Sequence, residues 1–152
     1  MANFDPESFL DLEVEGSNDT RLIPIPVGEY IATVEKVDKV REIKSKDGND
    51  TFYSLPIVWR IDDPSVLEAT ARDKVTIRAD IFLDILPSGA LDMGKGKNVQ
   101  LGKYREALGL NDPTRPFSMR QFVNRGAKIK VGQRAHKETG ELMPTIQAIA
   151  AA

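Results

Sequence analysis

Several stretches of this 152-residue chain alternate apolar and polar side chains with a period of two, and that alternation constrains the fold more than any other feature. The segment Ile31-Ala32-Thr33-Val34-Glu35-Lys36-Val37 alternates and is rich in β-branched residues, as a half-buried strand requires. Lys44 to Asp50 is a polar turn with an Asp47-Gly48 pair, which predicts a hairpin. The return strand is predicted over Thr51 to Ile61, with Tyr53, Leu55, Ile57, Trp59 and Ile61 inward and Phe52, Ser54, Pro56, Val58 and Arg60 on the other side. Pro56 lacks an amide donor and predicts a sheet edge or a bulge. A third strand follows over Lys74 to Leu83, with Val75, Ile77, Ala79, Ile81 and Leu83 inward and Lys74, Thr76, Arg78, Asp80 and Phe82 outward.

Asp62 to Arg72 reads as a connection with a helical turn starting near Pro64, and Pro87 to Lys97 reads as a flexible loop. Leu101, Tyr104, Ala107 and Leu108 fall at helical spacing, which predicts a helix over Val99 to Leu108 with Gly109 as its C-cap. A second short helix is predicted over Ser118 to Asn124, capped by Ser118. A last hairpin has strands at Ala127 to Val131 and Leu142 to Ala148 and a turn over Lys137 to Glu141. Three strands, a helical segment and two strands is the order of an OB-fold, a five-stranded antiparallel barrel with its helix between strands 3 and 4. The expected organisation is an acidic, flexible arm over residues 1–20 and one OB-like domain over 21–152.

Charge is sorted along the chain. Residues 1–20 hold six acids and no base, whereas 94–152 hold eleven Lys or Arg against four Asp or Glu, a surplus of seven positive charges. A basic half attracts polyanions, and an acidic arm is a possible internal competitor for the same surface. There is no cysteine and one histidine, His136, which excludes disulfides and thiolate chemistry and reads as an exposed loop residue. No apolar run approaches the roughly 18 residues of a membrane span, and Met1-Ala2-Asn3-Phe4-Asp5 is not a signal peptide. The expected location is the cytoplasm, with no membrane partner.

Two enzyme readings are weak. Gly89 to Lys95 fits the first seven positions of a phosphate-binding loop, but Gly96 stands where the magnesium-binding hydroxyl belongs. Asp62, Asp63, Glu68, Asp73 and Asp80 are the carboxylates a metal-dependent nuclease would use, yet Asp62-Asp63-Pro64 reads as a turn and no second carboxylate lies at a telling spacing from Asp80 on its outward strand face. No cofactor, metal or catalytic residue is expected.

A third constellation interleaves aromatic and basic residues, as single-strand binders do: cations along the phosphates and rings on which bases stack. Phe52 and Arg60 share one strand face, Arg78 and Phe82 another beside Lys74, and Lys128 and Lys130 a third. Lys44 and Lys46 lie in the first hairpin loop, and Arg134 and Lys137 in or near the last. In an OB-fold these two loops flank the face formed by strands 2 and 3. Any one of these lysines reads as solvated surface; only the set points to a nucleic-acid interface. Trp59 and Tyr53 read as packing residues.

The segments Phe4 to Leu10, Asn18-Asp19-Thr20-Arg21, Pro26-Val27-Gly28-Glu29-Tyr30 and Val123 to Val131 resemble small phage-encoded proteins. The pattern is similar to that of the phage single-stranded DNA-binding proteins and of a related phage family without an assigned function. The resemblance implies an OB-fold and binding of single-stranded DNA during phage replication or recombination, in the host cytoplasm. Many such proteins recruit replication partners through an acidic C-terminal tail, whereas here the acids and hydrophobes stand at Phe4 to Glu15. The arm is therefore the expected contact for phage or host replication and recombination proteins, and a cover for the basic face when DNA is absent. The rival expectation is a phage structural or assembly β-barrel whose basic half contacts a protein partner or packaged DNA. Oligomeric state is not legible.

Overall fold

The computed structural model describes residues 4–152 and is mainly β. Its strands are β1 (Gly28–Val37), β2 (Arg41–Lys44), β3 (Thr51–Ile61), β4 (Val75–Leu83), β5 (Gly126–Ala135) and β6 (Leu142–Ala151), all paired antiparallel in one sheet. Two helices, α1 (Pro64–Thr70) and α2 (Val99–Ala107), lie between strands, with 3-10 turns at Ser8–Asp11 and Met119–Phe122.

Six strands form where five were expected because the first is broken. β2 pairs with Thr51 to Ser54 of β3 and β1 with Ile57 to Ile61, while β4 lines Tyr53 to Ile61 from the opposite edge. β1 and β2 are thus two lengths of one edge of β3. The pairing register slips by one residue between them and by another at a bulge at Glu35. Each slip turns the following side chains to the other face, which is why Ala32 and Val34 are buried and Val37, rather than Lys36, returns to the core side.

Pro56 is not on an edge strand, since β3 lies between β1/β2 and β4. Its carbonyl accepts from the Asp38 amide at 3.0 Å, so this residue faces the break at 38–40. In an antiparallel strand a residue's N and C=O point to the same side. The missing donor therefore falls where the ladder is already interrupted, and the interior strand loses little by it.

The strand order is β4-β3-β1/β2-β5-β6. β4 and β6 approach one another without a ladder between them, and α2 packs against both. The sheet is curled and open rather than a barrel closed by hydrogen bonds. The free edge of β4 is partly capped by α2, where the Phe82 amide donates to Gln100 Oε1 at 3.3 Å.

Inside the curl lie the predicted inward residues of β3 and β4: Leu55, Ile57, Trp59, Ile61, Val75, Ile77, Ile81 and Leu83 are buried, with Tyr53 and Ala79 partly so. Trp59 is fully buried with its ring centroid 6.1 Å from that of Tyr104 on α2. α2 ends as expected, Gly109 having a φ of 73° that an L side chain rarely adopts. Ser118 precedes a 3-10 turn instead of a helix, and its side chain makes no capping bond. Asp63 caps α1 by accepting from the Ser65 amide at 2.9 Å.

The expected flexible loop is clasped. The Asp84 amide donates to Asn98 Oδ1 at 2.7 Å, the Asn98 amide to Asp84 Oδ2 at 2.9 Å, and Asn98 Nδ2 to the carbonyls of Asp84 (3.0 Å) and Asp92 (2.9 Å). These bonds hold both ends of residues 84–98 together and fix where α2 starts. The Gly89-to-Gly96 segment therefore does not run from a strand directly into a helix N-terminus, as a phosphate-binding loop does.

Candidate nucleic-acid interface

Phe52 and Phe82 are exposed, at 49% and 60% of their surface. Phe82 stands opposite Ser54 across the β3–β4 ladder, so the two rings are diagonal neighbours on the outward face, with Cβ atoms roughly 7 Å apart. Neither the helical segment nor the N-terminal arm covers them.

On the β1–β4 part of the same face five cations each have a carboxylate. Asp80 lies between Arg41 Nη2 and Arg78 Nε, 3.2 Å from each. Arg60 Nε donates to Asp62 Oδ1 at 2.7 Å, and Asp62 Oδ2 accepts from the Thr33 hydroxyl at 2.8 Å. Lys74 pairs with Glu35, and Lys36 with Asp38 at 3.5 Å. Five positive groups against four negative ones leave this part of the sheet nearly neutral. Burial pushes the Asp80 carboxyl up, but the hydrogen bond from Arg78, together with Ser54 beside it and the charges of Arg78 and Arg41, outweighs it and holds the group below the usual carboxylate range. The hydrogen bond from Arg60 does the same for Asp62 against its partial burial.

The remaining predicted cations lie elsewhere. Lys128 and Lys130 point outward on β5, opposite Ile31 and Glu29 of β1. They share the sheet face of Arg60, but β5 is three strands from β4. Because the sheet curls until its ends approach, the outward faces of β4 and β5 diverge, and the single continuous patch expected from the sequence is split in two. Arg134 and Lys137 line a concavity of about 740 Å³ in the β5–β6 hairpin, with His136, Glu138, Met143, Pro144 and Thr145. His136 is exposed, and its Nδ1 accepts from the Glu138 and Thr139 amides at 3.2 and 3.4 Å, an acceptor role in the turn. Lys44 pairs with Thr51, so the alternation puts it on the face opposite Phe52; Lys46 is exposed in the turn. Among the described residues none of Lys44, Lys46, Lys128, Lys130, Arg134 and Lys137 has an ion-pair partner.

The candidate metal carboxylates do not converge. Asp62 and Asp80 serve arginines, Asp63 caps α1, and no three His, Asp or Glu side chains gather around a common point among the described residues. No helix among the described residues is long and apolar enough to cross a membrane.

Residues 4–20 are exposed throughout, and none of their carboxylates pairs with a base of the sheet. The arm does not lie over the basic face as expected. Its start is organised locally: the Phe9 amide donates to the Asp5 carbonyl, and the Phe4 and Phe9 ring centroids lie 5.2 Å apart. Residues 21–27 are pinned instead, with Ile25 in the core, Arg72 Nη2 on the Ile23 carbonyl at 2.6 Å and Arg21 Nη2 on the Thr139 carbonyl at 2.6 Å. Of the ion-paired cations on this face, the sequence reading singled out neither Arg41 nor Lys36. The signal of Arg41 was hidden because only the β2–β3 register reveals that it stands beside Ser54 and reaches Asp80.

No protein-family model matches this chain, and no curated protein sequence matches it.

Proposed function

We propose that this chain is an OB-like domain that binds single-stranded DNA with little sequence preference and performs no chemistry, in phage DNA replication or recombination. The observation that carries the reading is the exposed Phe52–Phe82 pair on adjacent strands, flanked by Arg41 and Arg78. Solvent-facing aromatics on a sheet cost solubility and suit base stacking, worth roughly 1–3 kcal/mol per base. Two features support the OB assignment: the strand order, and the approach of β4 to β6 with α2 packed on both. In this reading the phosphates are held by the unpaired bases Lys128, Lys130, Arg134 and Lys137 and by Lys44 and Lys46 on the other hairpin, with Arg60, Lys74 and Arg78 contributing from within their ion pairs. The arm, with Phe4, Phe9, Leu10 and Leu12 exposed among acids, is left for replication or recombination proteins.

The near-neutral charge of the aromatic face favours a second reading, in which Phe52 and Phe82 seat a protein subunit of a phage assembly; aromatic and arginine side chains are enriched in such interfaces. Binding of a fluorescent oligo-dT of about 30 nucleotides, against duplex of equal length and at several salt concentrations, separates the two. Tight, salt-sensitive binding that prefers the single strand is the expected result. Absence of that preference removes the single-strand reading and leaves the assembly protein.

A further inference from the structure

We propose that Asp80 sets the preference of this face for single strands over duplex, by keeping Arg41 and Arg78 in ion pairs on the floor of the aromatic patch. The inference rests on the nucleic-acid reading and deepens it. Arg78 and Asp80 lie two residues apart on β4, and Arg41 reaches the same carboxylate from β2, across β3. The carboxylate side chain is 27% exposed while the two arginine side chains are about half exposed, which places the negative charge beneath and the donors above. Phe82 lies two residues along β4 from Asp80, on the same outward side.

The two ligands would meet this floor differently. A duplex hides its bases and brings only phosphates, so docking it here sets phosphates against a surface whose five cations are matched by four carboxylates. It gains little by counterion release and meets the Asp80 charge at close range, well inside a screening length of about 10 Å. A single strand lays bases on Phe52 and Phe82 and turns its flexible backbone toward the rim, where the arginines keep free N–H donors. Each guanidinium has five donors, and one of each is engaged by Asp80. The carboxylate therefore weighs against the duplex more than against the single strand, and binding depends on bases that can stack.

Asp80→Asn tests this in the full chain, because it removes the charge and keeps the side-chain volume and one acceptor oxygen. Affinity for oligo-dT and for duplex is measured across a salt series for both proteins. The expected result is duplex binding tighter by about tenfold at low salt with a steeper salt slope, oligo-dT binding tighter by about threefold or less, and hence a smaller single-strand preference. Arg41→Gln leaves Asp80 held by Arg78 alone and is expected to move the ratio the other way, weakening duplex binding most. If the wild type prefers oligo-dT and neither variant changes the ratio by more than about twofold, the role of Asp80 is overturned while the functional reading stands. If the wild type shows no single-strand preference, both fall.

Discussion

The sharpest consequence of the proposed site is the loss expected when Phe52→Ala and Phe82→Ala are combined. Each ring offers about half its surface to solvent, enough for one base to stack on each. At roughly 1–3 kcal/mol per base the pair contributes about 2–6 kcal/mol, a loss in affinity of about thirtyfold at least and above a thousandfold at the upper end. The fold survives this. Fully burying a phenylalanine contributes about 1.5–3 kcal/mol, and these rings are only half buried, so the double variant loses on the order of 2 kcal/mol of stability. Fluorescence anisotropy with labelled oligo-dT between about 50 and 200 mM salt reads the outcome, with urea unfolding as the control. No cation is removed, so the affinity drops by the same factor at every salt concentration and the salt slope is unchanged. Affinity within about twofold of wild type would falsify the stacking site, whatever its cationic surroundings. A loss of assembly with DNA binding intact would instead identify the patch as a subunit interface.

Other perturbations follow from the same geometry. Lys128→Gln with Lys130→Gln is expected to flatten the single-strand salt slope by about 0.7 for each phosphate no longer neutralised, with little change in stability, because both side chains are exposed on β5. Trp59→Ala should cost about 3–5 kcal/mol in urea unfolding, and Trp59→Phe less, since phenylalanine refills part of the fully buried volume. Asn98→Ala removes three side-chain bonds and places alanine at a φ of 52°, so a loss of about 2–3 kcal/mol is expected, and Asn98→Gly should recover part of it. Asp62 and Asp80 titrate below their unfolded value of about 3.9, so the stability they add is full above that value and is lost as pH falls through the folded one. Acid unfolding of Asp62→Asn or Asp80→Asn, followed by circular dichroism between about pH 5 and 2, should show a shallower dependence on pH than wild type.

The core faces of β3 and β4 are legible in the sequence because each is a single uninterrupted alternation in which every second residue is apolar. Helix α2 is legible for a similar reason, with Leu101, Tyr104 and Leu108 on one side and Gly109 at its end. What is not legible depends on register. The break at 38–40 and the bulge at Glu35 each shift the pairing by one residue, and neither carries a glycine or proline; Asp38 alone is too weak a turn signal to mark the break. Without them the positions of Arg41 beside Ser54 and of Glu35 beside Lys74 cannot be derived, and the ion pairs that neutralise the aromatic face stay hidden. Pro56 reads as an edge signal because a proline reports a missing donor and not the side to which that donor would have pointed. The clasp at Asp84 and Asn98 stays hidden because a Gly- and Lys-rich stretch reads as mobile, although its two ends, 14 residues apart, meet through one asparagine side chain.

The sorting of charge along the chain does not become the same sorting in space. Residues 21–93 supply all five ion-paired cations of the aromatic face together with the carboxylates that cancel them, so the rings look out from a surface of little net charge. The positive surplus of the C-terminal part stands on β5 and in the last hairpin, two strands from Phe52 and three from Phe82, and turned from the rings by the curl of the sheet. A polyanion that uses both the rings and the unpaired bases must bend around the sheet within a few nucleotides. A duplex, with a persistence length of about 150 base pairs, cannot do this without a large bending cost. An unpaired strand can. Under the proposed function, the division between a near-neutral aromatic face and a separate basic surface would select flexible, unpaired strands, and it predicts that the ring variants and the Lys128–Lys130 variant weaken oligo-dT binding independently. Free-energy losses in the combined variant should add to within about 0.5 kcal/mol. Strong non-additivity would show that the rings and the β5 bases act as one site and that the two surfaces are not separate.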